Sequence, residues 1–345
     1  MAIKESDFIT TNYNLDLSKA LDYSLISVRS TFNRMGQDAY SGAKNIMKGI
    51  LAEEAFQLYL DEMKVKYDLD GRTTWHKIDQ YDIAIDQVPL DLKSFFIDKN
   101  KPYYKKKLDE YENTKTYFYD CRCLVPADQF KTKKVKTKTY VFAFMQGEFL
   151  LEKTEEPLYT HIFFDYEWWR KGAWLKNAEE KFKNDHGKLT INQSGRLNNS
   201  LLTIYGTSRD KKKLIEEIKL DQSEVTTENS FYQVFAVKID GSLPSDKINI
   251  STESTKLKET INPAIGFKKI KDSNGEPVIL QNDWINMEIS YNPITFVGWL
   301  DKEDFAVKSD FFKRFSKNTL TYQDTLSENM GCKTADLNPI SELID

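Results

Sequence analysis

Asp82, Asp91 and Lys93 interrupt the apolar runs of the stretch YDIAIDQVPLDLKSFF, at positions 81 to 96. A buried charge is costly unless it is paired or binds a metal ion. The pattern predicts two short strands joined near residues 86 to 89. Because side chains two apart in a strand point the same way, Asp91 and Lys93 share one face, and Asp82 can share it across the turn. Two carboxylates and one ammonium group are therefore expected to converge at the ends of adjacent strands.

A third carboxylate comes from the preceding helix, which the spacing of apolar residues predicts over positions 41 to 63. At about 100° per residue, Glu53 falls inside the apolar arc that contains Ile50 and Leu60. Glutamate is almost never fully buried without a partner. Glu53 is therefore a candidate to reach the same pocket as the two aspartates of the hairpin.

These side chains have the donor types of a divalent metal site. Hard oxygen ligands from Asp82, Asp91 and Glu53, with no soft ligand, favour Mg²⁺ or alternatively Mn²⁺. Beside such a cluster, Lys93 can hold or help to deprotonate a water, while the metal stabilises charge on a phosphate. The alternative is a buried ion-pair network that joins helix and hairpin. Two acids in one apolar hairpin exceed what one lysine needs, which favours the metal site.

In chain order, GILAE (49–53), DIAI (82–85) and DLK (91–93) resemble the active-site signature of the PD-(D/E)XK phosphodiesterase superfamily, which includes type II restriction endonucleases. The resemblance implies that Asp82 and Asp91 bind the metal, that Glu53 completes or orients the site, and that Lys93 positions the attacking water. It also implies hydrolysis of a DNA phosphodiester that leaves a 5′-phosphate.

The resemblance extends over residues 41 to 150 and departs from the family pattern at one position. Tyr81 precedes Asp82 where the family name has proline. A Gln-x-x-x-Tyr motif does not follow Lys93, which argues against the RecB-like exonuclease branch of the superfamily.

The chain of 345 residues is long enough for about two domains. Its elements predict an α/β (α+β) nuclease domain over residues 1–190, with a mixed central β-sheet flanked by helices; the resemblance implies a restriction-endonuclease-like core. Over residues 191–345 the composition shifts toward Ser, Thr, Asn and Gly among short strand-like runs. This shift predicts a more β-rich recognition or regulatory region. A short similarity between 161–174 and 294–307 leaves open that 294–315 packs back on the nuclease core.

Composition narrows the functional classes. The sequence lacks an apolar run long enough to span a membrane, and its polar N-terminus does not resemble a secretory signal, so a cytoplasmic location is expected. Three cysteines and three histidines, none at metal-motif spacing, argue against a disulfide framework and a zinc site.

The net charge of −4 gives no overall attraction to nucleic acid, but lysines cluster at 105–107, 131–139 and 209–213. Such strips can contact phosphates, although each is also typical of a solvated surface. Two further groups of residues have side chains of the types that contact nucleic acid, but neither group is assigned that role. The first is largely aromatic and is equally typical of a core: Trp168, Trp169, Arg170 and Trp174. The second is polar and is equally typical of a turn: Asn192, Gln193, Arg196, Asn198 and Asn199.

Together these features predict a Mg²⁺-dependent endonuclease acting on double-stranded DNA, either a type II restriction endonuclease or a related anti-phage defence nuclease. Symmetric double-strand cleavage requires two active sites, so a homodimer is expected. One alternative is a DNA repair or signal-activated effector nuclease. An alternative of another class is a non-catalytic nucleic-acid-binding protein with a nuclease-like fold.

Overall fold

The chain divides into two compact units, each built from segments distant in sequence. The first comprises Met1–Ala20, Asn45–Phe149 and Ile289–Asp345, and the second comprises Leu21–Lys44 and Leu150–Glu288. The computed structural model describes residues 3–27, 39–73, 79–132, 135–154, 160–164, 187–194, 201–207, 213–219, 224–231, 233–240, 248–254, 260–261, 270–271, 277–278, 284–291, 293–317 and 319–344.

The described helices lie mainly in the parts of the sequence before residue 132 and after residue 301. They are α1 (Leu17–Ser27), α2 (Ala39–Glu62), α3 (Pro102–Glu110), α4 (Thr114–Asp120), α5 (Ala127–Lys131), α6 (Lys302–Lys308) and α7 (Ser341–Ile344), with 3₁₀ turns at Glu5–Asp7 and Thr334–Asp336.

The strands that precede residue 155 are β1 (Ile9–Thr11), β2 (Tyr67–Asp68), β3 (Ile83–Ile85), β4 (Val88–Asp98), β5 (Arg122–Pro126) and β6 (Thr139–Thr154). The middle of the chain contributes β7 (Thr160–Phe164), β8 (Gly187–Ser194), β9 (Leu201–Thr207), β10 (Lys213–Lys219), β11 (Glu224–Phe231), β12 (Gln233–Asp240), β13 (Ile248–Ser254), β14 (Thr260–Ile261), β15 (Ile270–Lys271), β16 (Pro277–Val278) and β17 (Trp284–Ser290). The last strands are β18 (Ile294–Asp301), β19 (Asp310–Phe312) and β20 (Asn329–Lys333).

The first unit is built on a curled, mixed six-stranded sheet flanked by helices, in the order β2-β3-β4-β6-β18-β1. The neighbours β4 and β6 run parallel, and the other pairs are antiparallel. Residues Tyr140–Met145 of β6 are at most 1% exposed. This run is apolar without alternation because a central strand is covered on both faces. A small antiparallel sheet of β19, β20 and β5 completes the unit.

Helix α2 packs its apolar stripe against the sheet. The rings of Phe56 on α2 and Phe296 on β18 lie 5.1 Å apart between centroids, and both side chains are fully buried. Burial of one such ring contributes about 2 kcal/mol. Leu51, Ala52, Ala55 and Leu60 are likewise fully buried. The packing fixes the rotation of the helix and therefore the direction in which its polar positions point.

The predicted α/β (α+β) class, with a mixed sheet flanked by helices, is confirmed. The aromatic run TYFYDCRCLV at 116–125 predicts a strand, but Thr114–Asp120 forms α4 and the strand begins only at Arg122. Asn113 caps α4 by accepting a hydrogen bond from the Thr116 backbone N–H at 3.0 Å. Aromatic residues favour strands in general, but here the cap and the core position of Tyr117 override that preference.

The second unit is rich in antiparallel strands. One set has the order β10-β9-β12-β7-β17, and another has the order β11-β8-β13-β14. The strand at residues 294 to 301 belongs instead to the first unit, where it pairs antiparallel with β6. Among the described residues, none of the helices combines the length and the apolar character needed to cross a membrane.

Candidate active site

The hairpin of β3 and β4 brings Asp82 and Asp91 to one edge of the sheet of the first unit. A two-residue turn joins the strands, with φ of 47° at Asp86 and 66° at Gln87. Positive φ at both central residues is typical of the type I′ turns that suit a hairpin. The turn is shorter than the predicted 86–89, because Val88 already lies in β4. The register pairs Ile83 with Leu90, which puts Asp82 opposite Asp91.

Asp82 is held in place by the backbone of β4. Its backbone N–H donates to the carbonyl of Leu90 at 2.9 Å, and its Oδ2 accepts a hydrogen bond from the Leu92 backbone N–H at 2.7 Å. These bonds continue the hairpin one residue beyond β3 and fix the carboxylate beside the strand that bears Asp91.

Asp91 and Lys93 form a close ion pair on the face of β4 predicted from their spacing. The distance from Lys93 Nζ to Asp91 Oδ1 is 2.5 Å. Their side chains are 15% exposed for the lysine and 18% for the aspartate, so the pair is accessible only at its rim. Leu90 and Leu92, on the opposite face, are buried. The alternation along β4 therefore places the charged groups on one side and the apolar groups in the core.

Glu53 projects from α2 and pairs with Arg72, whose NH2 nitrogen lies 2.7 Å from Glu53 Oε2. The Glu53 side chain is 16% exposed, although its neighbours Ala52 and Ala55 are fully buried. Arg72 also donates from Nε to the backbone carbonyl of Asp82 at 3.3 Å. One guanidinium thus connects the helix carboxylate with the start of the hairpin.

The pKa values of Glu53 and Asp82 reflect the closeness of these carboxylates. Burial raises the pKa of Glu53 to about 7; Arg72 and Lys93 oppose the rise, while Asp79 and Asp91 add to it. Burial, followed by the charges of Glu53 and Asp91, raises the pKa of Asp82 well above its usual range against the effect of Lys93. Asp91 and Lys93 act on both Glu53 and Asp82, which indicates that the four side chains share one electrostatic environment.

Arg72 and Asp79 belong to this environment and were not predicted from the sequence. Asp79 Oδ1 accepts hydrogen bonds from the backbone N–H of Thr73, at 2.5 Å, and from its hydroxyl, at 3.0 Å. A Cβ added at Gly71 would lie 2.4 Å from the ring of Tyr81, so glycine is required there. In the sequence, the loop that carries Arg72 is marked only by Gly71 directly before it, which is too little to predict that Arg72 pairs with Glu53.

Part of the lysine-rich segment 131–139 borders the hairpin. The backbone N–H of Lys138 donates to the carbonyl of Pro89 at 2.9 Å, and that of Lys136 donates to Gln80 at 2.9 Å. Both lysines are exposed, whereas Thr137 between them is buried. Two solvent-facing cations therefore border the hairpin that carries Asp82 and Asp91. The strip at 105–107 is different, because Lys106 and Lys107 pair with Glu110 of the same helix, at 3.9 Å and 2.5 Å.

Oxygen donors suited to a hard divalent cation are present at this site, and their mutual repulsion leaves negative charge that a cation would neutralise. The carboxylates are nevertheless directed to protein partners: Asp91 to Lys93, Glu53 to Arg72, and Asp82 to a backbone N–H. In the described part of the chain, no group of three or more His, Cys, Asp or Glu side chains has the arrangement of a metal site. Binding of a metal would require these side chains to turn toward a shared centre.

The other residues considered from the sequence do not belong to this site as described. Asn192 and Gln193 lie in β8 of the second unit. Seven more lie outside the described residues: Trp168, Trp169, Arg170, Trp174, Arg196, Asn198 and Asn199. No protein-family model matches the chain, and no curated protein shows significant sequence similarity to it.

Proposed function

We propose that this protein is a Mg²⁺-dependent endonuclease that hydrolyses DNA phosphodiester bonds, with Mn²⁺ as an alternative metal. The observation that carries the proposal is that Asp91 and Lys93 form an ion pair on the hairpin and that both act electrostatically on Glu53 and Asp82. A helix carboxylate followed by two hairpin aspartates and a lysine is the ordered set that resembles the PD-(D/E)XK superfamily.

The fold supports a restriction-endonuclease-like core as part of the proposal. A helix that carries one acid packs on a mixed sheet, and an antiparallel hairpin in that sheet carries the other acids. The second hairpin strand continues parallel to β6. Rigid strands and a packed helix suit a catalytic site, because such a site must hold its groups within a fraction of an ångström.

Each polar group has a role in the proposed reaction. Asp82, Asp91 and Glu53 would hold the divalent ion, which when bound supplies stabilisation of the negative charge that develops on the phosphate. Lys93, now paired with Asp91 at 2.5 Å, would turn its ammonium group toward the attacking water and orient it. Glu53, whose pKa is about 7 in the metal-free protein, would lose its proton when it binds the ion. Arg72 would position Glu53 through their ion pair.

The proposed substrate is double-stranded DNA, and the exposed cations beside the hairpin support it. Lys136 and Lys138 face solvent from a segment whose backbone is bonded to the hairpin. Cations at such positions attract the phosphate backbone independently of base sequence. A type II restriction endonuclease or a related anti-phage defence nuclease would fit this arrangement, with residues of the second unit available for recognition or regulation. A DNA repair or signal-activated effector nuclease would use the same site.

A second candidate is a non-catalytic nucleic-acid-binding protein with the same fold. It is favoured by the pairing of Asp91 with Lys93 and of Glu53 with Arg72, since paired charges of this kind also occur as structural networks. The two candidates differ in one respect: only the enzyme requires the Asp91 carboxylate for chemistry.

Plasmid cleavage tests the proposal. The wild-type protein, Asp91→Asn and Asp86→Asn are incubated with supercoiled plasmid in Mg²⁺ and in EDTA. Asp86 is the matched control, because it lies in the same hairpin but at the turn and is exposed. We expect cleavage by the wild type and by Asp86→Asn in Mg²⁺, a loss of about a hundredfold or more in Asp91→Asn, and none in EDTA.

The cleavage pattern separates the candidates. Discrete fragments indicate restriction, whereas nicking or smearing indicates a repair or effector nuclease. Equal DNA binding by all three proteins without Mg²⁺-dependent cleavage would favour the non-catalytic candidate and contradict the proposal.

A further inference from the structure

A short loop of the first unit presents a phenylalanine among cations. Residues 311 to 317, FFKRFSK, contain three phenylalanines, three cations and no acidic side chain. Lys313, Arg314 and Lys317 are exposed. Phe315 is 60% exposed, with the Arg314 guanidinium 4.9 Å from the centre of its ring. The loop, here called the FKRF loop, therefore combines positive charge with an aromatic ring that the fold leaves in solvent.

The backbone at Phe315 has a positive φ, a conformation that normally requires glycine. The Ser316 N–H donates to the carbonyl of Lys313 at 3.2 Å, which closes a turn whose third residue is Phe315, with φ of 66°. Turns with positive φ at this position usually take glycine or asparagine, and a bulky residue there is an outlier. Burial of the ring does not account for this choice, since most of it is exposed. Strained positions of this kind are concentrated at sites of binding and catalysis.

The FKRF loop is braced by Thr325. Its backbone carbonyl accepts from the Phe315 N–H at 2.6 Å, and its hydroxyl both donates to the carbonyl of Lys313 at 2.7 Å and accepts from the Ser316 N–H at 3.0 Å. Thr325 is 1% exposed, so these bonds are shielded from water. The ring of Phe315 is consequently presented by a fixed turn, which lowers the entropic cost of binding a partner.

Contacts of two lysines connect the FKRF loop with the segment that borders the hairpin. Lys131 Nζ lies 5.8 Å from the ring centre of Phe311, and Lys302 Nζ lies 5.7 Å from that of Phe130. The Lys302 backbone N–H donates to the carbonyl of Lys138 at 2.7 Å. Exposed acids stand beside Lys302 in the sequence, at 301, 303 and 304. The positive charge is therefore concentrated at the FKRF loop itself.

From these contacts we infer that the FKRF loop binds a DNA strand, with Phe315 stacked on an unpaired base and Lys313, Arg314 and Lys317 near its phosphates. An aromatic ring beside a cationic track is the usual means of holding a single strand without regard to sequence. The inference rests on the proposed function for its choice of nucleic acid as the partner. An anionic membrane surface is the competing partner for the same ring and cations, and the test below includes it as an outcome.

Oligonucleotide binding in EDTA tests the inference without cleavage. Fluorescence anisotropy measures the affinity of the wild type, Phe315→Ala, Phe315→Tyr and Val307→Ala for a labelled single strand and for the matching duplex. Val307, on α6 of the same unit, is 86% exposed and serves as the apolar control. We expect Phe315→Ala to weaken single-strand binding by roughly fivefold to a hundredfold, with a smaller effect on the duplex. Phe315→Tyr, which keeps the ring, and Val307→Ala should bind like the wild type.

A second variant distinguishes binding from folding. Phe315→Gly removes the ring and relieves the positive-φ strain, so its thermal midpoint should equal or exceed that of the wild type while its single-strand affinity falls as in Phe315→Ala. A lower midpoint for Phe315→Gly would assign the ring to stability and overturn the inference. Binding to anionic phospholipid vesicles that depends on Phe315, with unchanged oligonucleotide affinity, would also overturn it in favour of a membrane surface.

Failure of the inference is separable from failure of the proposed function. If the wild type cleaves plasmid in Mg²⁺ and the Phe315 variants bind single strands as tightly as it does, only the role of the FKRF loop is refuted. If the wild type neither cleaves plasmid nor binds either oligonucleotide, the nuclease proposal fails and the inference fails with it.

Discussion

At the scale of single residues, the candidate site is a cluster of carboxylates held close together and only partly neutralised. Glu53 pairs with Arg72, Asp91 pairs with Lys93, and Asp82 accepts a backbone N–H. The raised pKa of Glu53 shows that burial and the neighbouring acids outweigh the attraction of the arginine. A structure selected only for stability would gain by replacing such groups with apolar ones. Their retention is what a site for a cation or a proton transfer requires.

The shift at Glu53 predicts a dependence of stability on pH in the metal-free protein. The pKa of Glu53 rises from its ordinary value of 4.5 to about 7 in the folded chain. Between these values the folded state binds more protons than the unfolded state, so the free energy of unfolding falls as pH rises, by an amount on the order of 3 kcal/mol. Chemical denaturation in EDTA across this range measures the effect.

Glu53→Gln should reduce this dependence and leave the part due to the raised pKa of Asp82, while Glu54→Gln, one position along the same helix, should retain all of it. A free energy of unfolding that instead rises from acid to neutral pH in the wild type, or an unaltered slope in Glu53→Gln, would contradict the assignment.

The four residues of the candidate site can be predicted from the sequence, whereas Arg72, the ion-pair partner of Glu53, cannot. The positions of Asp82, Asp91 and Lys93 follow from strand alternation, and that of Glu53 follows from helical periodicity, since both repeats are local. Arg72 could not be predicted, because it lies in a loop whose path depends on the contact of Gly71 with the Tyr81 ring. Long-range contacts of this kind leave no periodic signal in the sequence.

At the scale of elements, the hairpin is the part on which the site depends. Its turn places Asp86 and Gln87 at φ of 47° and 66°, where residues other than glycine and asparagine are strained. The hairpin itself was predictable from alternating apolar residues, but helix α4 was not. The cap at Asn113 and the burial of Tyr117 and Phe118 outweigh the strand preference of that aromatic run.

The turn gives a prediction about the stability of the hairpin. Replacing Gln87 by glycine removes the positive-φ strain and should stabilise the protein by about 0.5–1 kcal/mol. Gln87→Ala, which keeps the strain, should not stabilise it. Thermal unfolding of both variants measures the difference, and equal midpoints for the glycine and alanine variants would mean that the turn does not limit stability.

At the scale of the whole molecule, the chain interleaves two units, one with the candidate site and one rich in antiparallel strands. The short similarity between 161–174 and 294–307 left open that β18 returns to the first unit. Its pairing with β6 could not be derived from local patterns, because strand pairing between distant segments is set by the packed core. The net charge of −4 conceals the local basic segments that border the hairpin. The distribution of charge is therefore more informative about binding than its sum.

The expected homodimer is a prediction at this scale. Cleavage of both DNA strands requires two copies of a site that attacks one strand, so we expect two chains to act together. Sedimentation equilibrium with an uncleaved duplex in EDTA should give a mass of two chains per duplex. A single chain per duplex, together with products that are nicked and not linear, would contradict the dimer and favour a nicking enzyme.

The central claim is that the side chains of Glu53, Asp82 and Asp91 form one divalent-cation site. Calorimetric titration of the metal-free protein with Mn²⁺ near neutral pH tests it most directly. We predict one binding event in the wild type that is lost in Asp91→Asn and retained in Asp86→Asn, whose substituted residue lies at the turn of the same hairpin. Indistinguishable titrations of the wild type and Asp91→Asn would show that the carboxylates are a structural network and not a metal site.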